Sequence, residues 1–122
     1  MKTIRHALTL TFVLTLAGAA SAAEVSVTGE LVDQACYTKD KKANVGVSHQ
    51  DCATMCAMKG QTVALVTDQG DVIAVAGDLT KDNNALLALH MSHRVILTGE
   101  VAEKDGKKTI TATSLKMAPP RF

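Results

Sequence analysis

Two stretches of the chain, Val27-Thr28-Gly29-Glu30-Leu31-Val32-Asp33 and Leu97-Thr98-Gly99-Glu100-Val101-Ala102-Glu103, share one pattern in which a glycine interrupts an alternation of apolar and polar residues. Alternation of this kind belongs to a strand with one buried face. A glycine inside such a strand removes a side chain where the sheet must coil sharply, and closing a small sheet on itself requires that coil. The echo is too short to mark a repeat protein. It therefore constrains the shape of one domain rather than dividing the chain.

The remaining pattern fits the same constraint. Val25, Val27 and Leu31 alternate with Ser26, Thr28 and Glu30 as a first strand. Residues 62–67 and 71–76 are apolar runs separated by Asp68-Gln69-Gly70, which predicts a hairpin. Residues 81–91 carry Leu86, Leu87 and Leu89 with Ala85 and Ala88, a short apolar helix with Asp82 or Asn83 as its cap. Residues 94–103 alternate again, Lys104-Asp105-Gly106 forms a turn, and the Thr-rich run 107–116 closes the series. Strand, strand, strand, helix, strand, strand is the order of a mainly β, five-stranded OB-like barrel. A small open sheet under one covering helix is the alternative.

At the N-terminus, Lys2 and Arg5 precede an apolar run over 7–16, and small residues over 17–23 follow. With Ala20-Ser21-Ala22 as a small-x-small cleavage pattern, residues 1–22 read as a signal peptide and the mature chain begins near Ala23 or Glu24. The apolar run is shorter than the roughly 20 residues of a spanning helix. A periplasmic or secreted product, not embedded in the membrane, is expected. Residues 23–118 form a single domain in this reading, and residues 119–122, opened by Pro119 and Pro120, form a loose tail.

Without Lys2 and Arg5, 11 of the 13 basic residues face 12 acidic ones. That balance offers no electrostatic footing for nucleic acid. Beyond the leader only Tyr37 and Phe122 are aromatic, so stacking platforms for bases are absent too. The core must be aliphatic, and a domain this small gains from a disulfide or a bound metal.

Chemistry concentrates in Cys36, His49, Cys52 and Cys56, the last three spaced His-x2-Cys-x3-Cys. Three cysteines in an exported chain leave at least one thiol without an internal partner. The connection over 34–60 is long enough to hold structure of its own. Residues 51–59 are good helix formers, with Ser48 placed to cap and Gly60 to stop the helix. At about 100° per residue, positions 49, 52 and 56 share an arc of roughly 60°, and Cys36 arrives from the end of the first strand as a fourth ligand. A Cys3His set suits zinc, and its thiolates suit Cu(I). The competing readings are a disulfide from Cys36 to Cys52 or Cys56 with one spare thiol, and a redox or intermolecular thiol. His90, Met91 and His93 form a second soft-ligand group, read as a helix end. Met55 and Met58 are thioether candidates for copper read as core packing, and Asp33 is a carboxylate able to orient a liganding histidine.

The stretch from Val27 through Cys36 and Tyr37, the His49-x2-Cys52-x3-Cys56 segment, the Asp68-Gln69-Gly70-Asp71 turn and the strand over 95–101 together resemble a group of small secreted bacterial proteins. These are similar in outline to periplasmic bacterial OB-fold proteins of stress-response type. The resemblance implies an OB-like domain whose connection between the first two strands is enlarged to carry the Cys and His residues on a short helix. The function expected is metal binding, for storage, carriage or sensing of a zinc or copper ion. The alternative is a disulfide-stapled OB module that binds a protein or small ligand. No Ser-His-Asp set, carboxylate pair or phosphate loop has recognisable spacing, so no enzyme is expected.

Overall fold

The computed structural model describes residues 23–121; the leader reading falls on residues 1–22, outside the described residues. Five strands form a mainly β sheet: β1 (Val25–Asp33), β2 (Val63–Thr67), β3 (Val72–Ala76), β4 (Arg94–Lys104) and β5 (Lys107–Met117). Their hydrogen bonds run as a ring in the order β1-β2-β3-β5-β4, and β4 pairs back onto β1. All pairings are antiparallel except β3 with β5, which is parallel. β1 belongs to two ladders at once, since Gly29 and Glu30 pair with Thr67 and Val66 on one side and with Val95 and Arg94 on the other.

The two echo glycines work through close approach. A Cβ on Gly29 would collide with the Val66 carbonyl of β2, and one on Gly99 with the Thr111 carbonyl of β5. The β4/β5 register also shifts between Thr98 and Gly99. Each glycine therefore marks a place where a neighbouring backbone lies across the strand, as a tightly coiled sheet demands.

Alternation decides which side chains enter the ring. Leu31 joins Leu65, Val95, Leu97, Ile110 and Ile73 in the main core, each fully buried large side chain contributing roughly 2 kcal/mol of transfer free energy. No aromatic ring enters this cluster. Val32, on the opposite face of β1, packs instead with Tyr37 and Ala64 in a smaller outer cluster.

Among the described residues, three α-helices accompany the sheet. α1 (Gln34–Lys39) follows β1 without a break, where the sequence reading had placed Cys36 at a strand end. Its start is set by Asp33, whose side chain accepts the Ala35 amide. α2 (Gln50–Met58) sends Ala53 and Ala57, one turn apart, into the main core. Ser48 is not its cap, because residues Val47–His49 form a 3-10 turn and His49 occupies the capping position with no side-chain bond. Gly60 does end the helix, at φ +81° with its amide bonded to the Ala57 carbonyl.

α3 (Lys81–Ala88) departs further from expectation. Asp82, Asn83 and Asn84 all have positive φ, so the two expected caps belong to a left-handed turn that precedes the right-handed part. Asn and Asp tolerate this region better than other side chains. Asn84 also has a reason to be there: its buried Nδ2 donates to the carbonyls of Ala57 and Gln61, both at 2.9 Å, tying α3 to the end of α2. Leu87, Ala88 and Met91 then complete the core. The C-terminal tail is tethered as far as it is described, with Arg94 donating to the Pro119 carbonyl and Arg121 pairing with Asp68 at 3.2 Å. No helix among the described residues is long and apolar enough to cross a membrane.

Candidate metal and thiol site

β1 delivers Asp33 to the candidate site. Following the alternation Val27, Gly29, Leu31, Asp33, this carboxylate lies on the inward face of the strand at its last residue and is 1% exposed. One oxygen, Oδ1, accepts the Ala35 amide at 3.2 Å. The other, Oδ2, is buried without a hydrogen-bond partner. The donors beside this carboxylate are the Cys36 and Cys56 thiols, which are weak ones.

Cys36 and Cys56 supply the neighbours. A carboxylate oxygen of Asp33 and the two Sγ atoms lie within 4.8 Å of one another. Cys36 is fixed through its backbone, whose carbonyl accepts from the Asp40 amide at 3.1 Å and from Asn44 Nδ2 at 2.7 Å. Cys56 is fixed because Ala53 and Ala57 lock the rotation of α2 against the core. The Asp33 side chain beside Cys36, then partial removal from water, then the charge of Asp33 and the other thiols, push the Cys36 thiol up to about 11. Burial first, and Asp33 second, raise Cys56 as well. Cys36 keeps its proton chiefly through its hydrogen bond to Asp33 and Cys56 chiefly through burial, and a cation between them would reverse that preference.

The structure thus brings together two of the four residues the sequence singled out. Cys52 is exposed but stays in contact with Cys56, one turn on along α2. His49 stands apart from the Asp33, Cys36 and Cys56 group; it lies in the 3-10 turn, and its buried Nε2 has no partner. His49 falls just before the first turn of α2, which begins at Gln50. Asp33 was expected to orient a histidine and instead contacts the thiols directly. Its signal was present in the alternation of β1, which aims residue 33 inward. All three cysteines are free thiols, so no disulfide joins Cys36 to Cys52 or Cys56.

Met55 and Met58, read as core packing, are exposed on α2. His90 and His93 follow α3 in a turn, the His93 amide bonding the His90 carbonyl at 3.1 Å, and neither belongs to the thiol group. No protein-family model, curated protein or solved structure matches this chain.

Proposed function

We propose that the protein is an exported metal-binding protein whose five-stranded ring is an OB-like barrel carrying a zinc or copper site. Support for the barrel is the strand order with its single parallel β3/β5 pairing. In this reading Asp33, Cys36 and Cys56 form the ligand core, and Cys52, the nearest further sulfur, supplies a third thiolate.

The observation that carries the proposal is the buried Asp33 carboxylate gathered with the Cys36 and Cys56 thiols, its oxygens met by no stronger donor than the Ala35 amide and those S–H groups. A divalent ion would satisfy the oxygen and replace the two thiol protons together. A carboxylate among thiolates suits zinc, whereas Cu(I) favours sulfur alone, so zinc is the preferred occupant. Binding, for storage, carriage or sensing, is the role rather than catalysis.

The test is mass spectrometry of the mature protein, native and denatured, with thiol alkylation, followed by thermal unfolding with added zinc or, under reductant, Cu(I). A bound ion gives an excess native mass, and all three cysteines alkylate after denaturation without reductant. Zinc at a hundred times its dissociation constant stabilises the fold by about 2.7 kcal/mol, an increment that Asp33→Ala and Cys36→Ser each remove. Reduced protein that carries no metal and unfolds identically with and without either ion would refute the reading.

A further inference from the structure

A second site lies on the outer face of the ring, built from side chains other than the metal ligands. Two basic segments far apart in sequence meet there. Lys41, in the turn after α1, and Lys107 and Lys108, at the start of β5, line one groove of about 500 Å³ with Tyr37, Val72 and Ala74. This volume lies in the range of small-molecule sites.

The groove has an apolar floor and a charged rim. Val72 and Ala74 are the outward residues of β3, whose Ile73 and Val75 point into the core. Ala74 makes the floor low, and Tyr37, packed on Val32 and Ala64, makes a firm wall. Lys108 pairs with Asp71 at 3.4 Å and faces Glu103 across the β4/β5 ladder. Lys41 and Lys107 have no ion-pair partner among the described residues. An apolar floor beside the Tyr37 ring and two unpaired ammonium groups favour a ligand with an apolar body and a negative group.

We propose that this groove binds a small aromatic carboxylate, its ring over Val72 and Ala74 and its carboxylate between Lys41 and Lys107. The lysines act as long-range attractors whose effect falls with salt. Tyr37 offers the ring a rigid neighbour at little entropic cost.

Indole-3-acetate is the probe, with neutral indole-3-acetamide as its isostere and inorganic phosphate as the charge-only arm, each titrated into metal-free mature protein and followed by backbone amide chemical shifts. Saturable shifts confined to residues 34–41, 72–74 and 106–109 are expected for the carboxylate. The Lys41→Glu/Lys107→Glu double variant weakens binding about tenfold, and Ala74→Leu, which fills the floor, abolishes it without lowering the unfolding temperature. The acetamide binds more weakly than the carboxylate, and phosphate competes poorly. Absence of saturation, shifts centred elsewhere, equal affinity for the acetamide, or full displacement by phosphate would each overturn the proposal. Because Cys36→Ser changes no residue of the groove lining and the lysine double variant changes none of the thiol group, loss of metal binding and loss of this binding are read separately.

Discussion

At Asp33, one carboxylate oxygen caps α1 while the other lies unpartnered among thiols. Replacing Asp33 with Asn keeps an acceptor for the Ala35 amide but removes the charge that, with burial, holds the Cys36 and Cys56 protons. Near pH 8 the exposed Cys52 alkylates first in the metal-free parent, and Asp33→Asn speeds the labelling of Cys36, because the thiolate is the reactive form. The same shifts set a pH dependence. An unfolded thiol ionises near its ordinary value of 9.0, whereas folded Cys36 keeps its proton up to about 11. The unfolded chain binds fewer protons in that interval, so stability is at its full value below the lower value and falls as pH rises between the two. Urea unfolding of reduced, metal-free protein across this window checks the slope, which Asp33→Asn flattens.

At the scale of elements, strand positions and both hairpin turns were legible because period-two alternation and Asp-Gly or Gln-Gly chemistry are local. The Asp105-Gly106 turn, with φ +53° and +74°, and the Thr67 to Asp71 turn fall where the sequence put them. The helices were less legible. Nothing local shows that Asp33 begins a helix at once, or that Asp82, Asn83 and Asn84 turn left-handed to carry Asn84 to the end of α2. Those conformations answer to carbonyls distant in sequence. The thiol pair was legible, since Cys36 was expected to reach Cys56 from the first strand, but the direct contact of Asp33 with both sulfurs was not. Gly99 offers the sharpest test of the strand reading. Gly99→Ala places a methyl group against the Thr111 carbonyl and should cost about 1–3 kcal/mol in urea unfolding. Gly70→Ala loses only the ease of its positive φ, since nothing crowds that position.

Across the whole molecule, cohesion is uneven. The ring shares one aliphatic core, while the segment from Gln34 to Gly60 is anchored mainly by Ala53, Ala57, Tyr37 and the Gly46 amide bonded to Glu30 at 3.2 Å. Hydrogen exchange is therefore expected to be slowest in β1, β4 and β5 and faster in α1 and α2 of the metal-free protein. Added zinc should slow α1 and α2 selectively, and uniform protection across the chain would contradict this picture. The double pairing of β1 gives the architecture a further property. A slip of β1 by a single residue would exchange its inner and outer faces, and Asp33 would swing from beneath the helices into water. Correct folding and a chemically competent site are thus set by the same alignment, so a chain that mispairs this strand is blank as well as unstable.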